Sequence, residues 1–160
     1  MRRRVHRELQ MLRSDDSVRT QIGPVSLRDD GSLSAVIVGP PDTPYAGGQF
    51  LLRVEFPDDY PFCPPKVRFV TPCFHCNIDP EHGAVCLDIL KTDWSPALTI
   101  TAVLLSVAAL LADPNPDDPL AQSVADIMLR DRDAYWHTAS VWTQRHARGG
   151  SPEPPSPLGP

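Results

Sequence analysis

Four short β-like runs, PVSL, SLSAVIVG, QFLLRVEF and KVRFV, follow one another between residues 24 and 70, and the segments between them constrain the fold most. The first connection, RDDGS, carries the Asp-Gly pair of a hairpin turn, so the economical arrangement is an antiparallel meander of four strands. The other two, PPDTPYAGG and PDDYPFCPP, are turn-rich. Pro57, Pro61, Pro64 and Pro65 close the third run and set up the fourth, because proline cannot donate to a strand ladder.

Helical patterns flank this block. Val5, Leu9 and Leu12 fall at i, i+4 and i+7 on one face of a first helix, whose other face carries Arg2, Arg3, Arg4 and Arg7 and is expected to stay in solvent. TITAVLLSVAALLAD, apolar on nearly every side, predicts a buried central helix capped by Thr99 or Thr101. DPNPDDPL, residues 113–120, is a proline-punctuated turn. Two more helices are predicted near 121–130 and 131–147, the second opening at an Asp131 cap. The last stretch, 148–160, is rich in Pro, Gly and Ser and is expected to be a disordered tail. The class is α+β, with one domain over residues 1–147.

Between residue 71 and Ser95-Pro96 no periodicity is clear, yet Phe74, Ile78, Leu87, Ile89, Leu90 and Trp94 argue against disorder. A long irregular stretch inside a compact domain is usually functional. It contains CFHCNIDPEHGAVC, in which Cys73, Cys76, His82 and Cys86 follow a Cys-x2-Cys-x5-His-x3-Cys spacing close to that of a zinc knuckle. Such knuckles serve chains too short to bury a core, and 160 residues with 41% hydrophobic content need no such staple. No metal or cofactor is therefore expected, and the other reading makes one of the cysteines a nucleophile. His75 is read as a structural histidine and His82 as a surface loop residue.

The formal net charge of −5 argues against nucleic acid as a main partner. No apolar stretch reaches the roughly 20 residues that span a bilayer, so no membrane partner is expected. The charged N-terminus does not resemble an export signal, which points to a reducing cytosolic or nuclear compartment with free thiols.

Six motifs, GPPDTPYAGGQF, FPDDYPFCPPKVRF, His75-Cys76-Asn77, CLDIL, WSPALTI and LADPNPDDPL, occur in this order over residues 2 to about 147. Together they resemble the ubiquitin-conjugating enzymes, especially the broad-specificity class that works with RING-type and HECT-type ligases. The family fold is an N-terminal helix, a four-stranded antiparallel meander, a central helix and two C-terminal helices.

The resemblance implies a transferase in which Cys86 accepts the ubiquitin carboxyl as a thioester from the activating enzyme and loses it to a substrate lysine or a ligase cysteine. A thiolate is both a good nucleophile and a good leaving group, which suits that double duty. Asn77 matches the residue assigned to stabilise the oxyanion, with holding the loop in shape as the alternative role of the same amide. Asp118 matches an acidic residue thought to orient the incoming amine, and Asp88 a second acidic position near it. Arg4, Phe62, Pro96 and Ala97 match the ligase-binding surface. The sequence places no His or Lys base beside Cys86.

Three departures stand out. Cys76 replaces the usual proline of the triplet, which is expected to loosen Asn77. Cys63 stands where relatives carry a lysine, and Gln21 where they carry a serine that helps a second ubiquitin bind. Cys76 and Cys63 keep open the alternative of a catalytically weak adaptor that binds ligase or ubiquitin; conjugation of another ubiquitin-like modifier is a further alternative, against which the loops 56–65 and 113–120 argue.

Overall fold

In a computed structural model, which describes residues 2–148, Val5, Leu9 and Leu12 are buried on one face of helix α1 (Arg2–Ser14), as their spacing predicts. After a short 3-10 turn come strands β1 (Ile22–Leu27), β2 (Leu33–Val38), β3 (Gln49–Glu55) and β4 (Lys66–Phe69). They form one antiparallel sheet in the order β1-β2-β3-β4. Strand β1 starts two residues before the predicted PVSL, with an irregularity in its register between Ile22 and Val25. Pro24 is tolerated there because β1 is an edge strand. The RDDGS turn closes through Arg28, whose N–H donates to Ser32 O at 2.8 Å, with Gly31 at a φ of 85°. That is the left-handed region glycine adopts at little cost.

Alternation along β2 and β3 buries Leu33, Ala35 and Ile37 and, from the neighbouring strand, Phe50, Leu52 and Val54. Helix α2 (Ile100–Ala112) packs against β1, β2 and α1 and contributes Ile100, Val103, Leu104, Val107 and Leu111 to the same core. Thr99, not Thr101, is its cap: the Thr99 hydroxyl accepts from Ala102 N at 3.1 Å. Helices α3 (Gln122–Arg130) and α4 (Arg132–His146) follow and pack on each other, and Asp131 caps α4 by accepting from Ala134 N at 3.0 Å. Among the described residues no helix is long and apolar enough to cross a membrane.

Two buried polar groups knit these layers. The Glu8 carboxylate, 4% exposed, accepts from the Tyr60 hydroxyl at 2.6 Å and from Ile100 N, at the start of α2, at 2.8 Å. An anion at a helix N-terminus meets unpaired backbone N–H groups and the positive end of the dipole. The Tyr45 hydroxyl donates to Phe74 O and shares a hydrogen bond with the Tyr135 hydroxyl, both at 2.6 Å, which ties the 40–48 connection to α4. The basic face of α1 is not wholly solvated as expected. Arg4 is half-buried and donates to Pro96 O at 2.7 Å and Leu98 O at 3.1 Å. Of the expected tail, Arg148 donates to Ala46 O, and the remainder lies outside the described residues.

Candidate functional site

The stretch without periodicity folds back on itself as a flap. Asp79 accepts from Glu81 N and His82 Nδ1, each at 3.0 Å, and these contacts hold its carboxyl below the ordinary value. Gly83 then turns the chain at a φ of 76°, pressed so close to β4 that a Cβ would meet Phe69 O at 2.0 Å. Only glycine fits at this approach. Bridges Arg68 to Ala84 and Ile78 to Val85 close the flap, and Cys86 N donates to Asn77 O at 3.0 Å. Cys86 is thereby held, partly exposed, opposite the His75-Cys76-Asn77 triplet.

Asn77 is 2% exposed, and each of its polar atoms is engaged. Nδ2 donates to Asn115 O at 2.9 Å and Asp118 O at 3.1 Å, while Oδ1 accepts from Asn115 N at 2.8 Å and from Cys76 Sγ at 3.3 Å. The amide therefore spans the cleft to the 113–120 turn. Cys76, expected to loosen Asn77, makes bonds of its own there. The thiol that replaces the proline bonds Asn77, and Cys76 O accepts from Leu120 N at 2.8 Å and Ala121 N at 2.9 Å. Burial pushes the Cys76 thiol up to about 11, so it stays a donor.

His75 is structural, as read from the sequence. Nε2 donates to Leu110 O at 2.8 Å and Nδ1 accepts from Asn77 N at 3.0 Å, which fixes one tautomer. Burial lowers its pKa to about 4.

The other side of Cys86 differs from the sequence expectation. Leu87 and the 3-10 turn Asp88–Leu90 carry the chain around so that Lys91 Nζ lies 3.3 Å from Cys86 Sγ. A basic side chain does sit beside the cysteine. The spacing of five residues could have raised the idea, but only the tight turn makes it a contact. Lys91 is held above the ordinary lysine value, first by its hydrogen bond to the sulfur and then by the sulfur's charge, with smaller contributions from Asp118 and Asp88. Both aspartates are exposed. Cys86, Asn77, Asp88 and Asp118 thus come together, with Lys91 among them.

Arg4, Phe62, Pro96 and Ala97 form a second group. Phe62 is 77% exposed, and Pro96 and Ala97 are exposed beside it. Trp94, which the sequence did not single out, joins the two loops by donating from Nε1 to Pro61 O at 2.9 Å, and Arg4 holds Pro96 from the helix side. Cys63 bonds Asp59 Oδ2 at 2.9 Å, an acidic contact that raises its thiol.

The zinc-like spacing does not translate into a cage. Cys73 is buried, with its thiol pushed up by desolvation, while His82 points to solvent on Asp79. Among the described residues no group of three or more His, Cys, Asp or Glu side chains is placed to hold a metal ion.

A family model described as ubiquitin-conjugating enzyme matches residues 4–143. Among solved structures, the E2 domain of a Toxoplasma gondii ubiquitin-conjugating enzyme is similar at 42% identity over 89% of this chain and 98% of that one, with a TM-score of 0.80. A Plasmodium yoelii protein described as a ubiquitin-conjugating enzyme is similar at 43% identity over 91% and 94%, with a TM-score of 0.85.

Proposed function

This chain belongs to the ubiquitin-conjugating enzyme family, and from that premise we propose that Cys86 carries ubiquitin as a thioester between an activating enzyme and an acceptor amine or ligase cysteine. The observation that supports this most is one partly exposed sulfur with the Lys91 cation 3.3 Å away, two aspartates acting on that cation, and a buried, hydrogen-bonded wall facing it.

In loading, the Cys86 sulfur attacks the ubiquitin carbonyl carbon held by the activating enzyme, whose own thiolate leaves. In discharge, an amine attacks the same carbon, loses a proton, and the Cys86 thiolate leaves. Asp118 and Asp88 orient the incoming ammonium and favour its approach to the sulfur. Both Nδ2 protons of Asn77 are already committed to backbone carbonyls, which supports Asn77 as a positioning residue that holds the 113–120 turn, and with it Asp118, against Cys86. Phe62, Pro96, Ala97 and Arg4 supply the docking surface for RING or HECT ligases. An exposed aromatic on a braced loop is apt hot-spot material.

The test is a loading reaction with activating enzyme, ATP and ubiquitin, read on a non-reducing gel. The parent should give a thiol-sensitive band one ubiquitin heavier. Cys86→Ser should trap an adduct that resists thiol, because an oxyester is a poorer acyl donor. A thiol-sensitive adduct persisting in Cys86→Ser would move the nucleophile to Cys63, Cys73 or Cys76, and no adduct in either protein would leave the adaptor reading.

A further inference from the structure

An open groove of about 430 Å³ lies on the β4 side of Cys86; its lining is apolar in large part, Val67, Val85 and Leu90 included, and its charged groups are Arg53, Lys66, Arg68 and Lys91, with His82 beside them and Glu55 as the one carboxylate. In a chain of net charge −5 this is a local inversion of sign. The strand register sharpens it. Arg53 of β3 faces Arg68 of β4 directly across the ladder, and Glu55 faces Lys66. Like charges directly opposite each other destabilise a sheet. Arg53 is compensated by Asp30 and by Glu55, the latter at 3.1 Å, whereas Lys66 and Arg68 have no ion pair among the described residues and are exposed. One end of the groove is Lys91, 3.3 Å from the Cys86 sulfur.

We infer that this groove is an acceptor-side subsite for an acidic segment of the protein substrate, which places a neighbouring substrate lysine at the Cys86 thioester. Charge complementarity and continuity with the nucleophile select this occupant. Lys66 and Arg68 are two residues apart on one face of a strand, roughly 7 Å along it. An extended segment with carboxylates at alternate positions has the same pitch, so two of its side chains can meet the two unpaired cations at once. The transfer step is the aminolysis described above: the substrate nitrogen gains the acyl carbon, the C–S bond breaks, the proton that the amine gives up passes to solvent or to the departing sulfur, and Cys86 is returned.

The inference rests on the thioester reading, and the two fail differently: if Cys86 carries no ubiquitin, the loading gel shows it before any acceptor is added. The full chain, loaded and freed of activating enzyme, is given three acceptors in single-turnover discharge. These are a lysine peptide with Glu at alternate flanking positions, the same peptide with Gln, and free lysine. The parent should discharge to the Glu peptide about tenfold faster than to the Gln peptide at low salt, with the gap narrowing steeply in high salt, as expected for exposed ion pairs. Lys66→Glu with Arg68→Glu should erase or invert that preference and leave free-lysine discharge unchanged. Equal rates for both peptides in the parent, or a preference that survives the double substitution, would overturn the subsite. So would an equal fall with all three acceptors, which would place the two residues in service of the nucleophile instead.

Discussion

The two walls of the Cys86 cleft are built on opposite principles. On one side Asn77, His75 and Cys76 are buried, and their polar atoms are bonded to backbone groups of Leu110, Asn115, Asp118, Leu120 and Ala121. On the other, Lys91 and Asp88 are exposed and the contact with the sulfur is a single interaction at 3.3 Å. Buried polar networks that are fully satisfied rigidify their surroundings, and breaking one partner leaves others stranded. Exposed charges contribute little to stability and act on approach and orientation. Substitutions on the first wall should therefore register as lost stability, and those on the second as changed rates.

The largest effect should follow Asn77→Ala. It leaves Asn115 N–H and the carbonyls of Asn115 and Asp118 without their partner, on a turn where both residues are exposed although Asn77 itself is buried. A loss of about 2 kcal/mol or more in urea unfolding is expected, since a stranded buried group costs about 1–3 kcal/mol and part-exposed ones cost less. A loss below about 1 kcal/mol would show that the turn stands without the amide.

Next comes pH. Well above its ordinary value of 6.5 the His75 imidazole is neutral in both folded and unfolded chains and adds no pH dependence. As pH falls, the unfolded chain takes up a proton that the folded chain refuses until about pH 4, so the stability is lost across that window. Between pH 7 and 5 the decline from this group should be about 2 kcal/mol. NMR of the imidazole nitrogens is the direct check, with the proton expected on Nε2 and Nδ1 bare at pH 5.5. An imidazolium in the folded protein at that pH would remove the buried wall's claim to rigidity.

The exposed wall should respond less in stability. Lys91→Met is expected to change unfolding by no more than about 0.5 kcal/mol. Alkylation of Cys86 by iodoacetamide should nonetheless change several-fold in rate, because the substitution removes the side chain whose Nζ lies 3.3 Å from the sulfur. A change of several kcal/mol in stability would mean that Lys91 belongs to the same structural unit as Asn77, and the contrast between the walls would collapse.

What the sequence made legible follows from the same contrast. The strands and helices carry their own period, and Val5, Leu9 and Leu12 or Leu33, Ala35 and Ile37 go where that period sends them. The flap from 71 to 96 has no period. Its form depends on Asp79 turning the chain and on a 3-10 turn, local turns that carry no hydrophobic period, and on Gly83 lying against Phe69, a contact that no spacing rule gives. Lys91 was missed for that reason. Glu8 was missed because a lone carboxylate within an arginine-rich helix looks solvated, when it is one of the groups that anchor α2.

Cys76 is the smallest and most informative test. From the sequence, replacing a proline ring by cysteine frees φ just before Asn77, and restoring the proline should tighten the loop and speed discharge. The structure removes that gain. Residue 76 is already fixed through its carbonyl by Leu120 and Ala121, and Asn77 is fixed through both its backbone and its amide. Proline would restrict an angle that these bonds already restrict, and it would delete the thiol that donates to Asn77 Oδ1, a weak donor on an oxygen still served by Asn115 N. The two effects are small and opposed. Cys76→Pro is therefore expected to change stability by less than about 0.5 kcal/mol and discharge to free lysine by less than about twofold. Cys76→Ala, which deletes the thiol without adding the ring, separates them. A several-fold acceleration in the proline variant alone would mean that Asn77 leaves its bonded position in solution, and the buried wall would then be as adjustable as the exposed one.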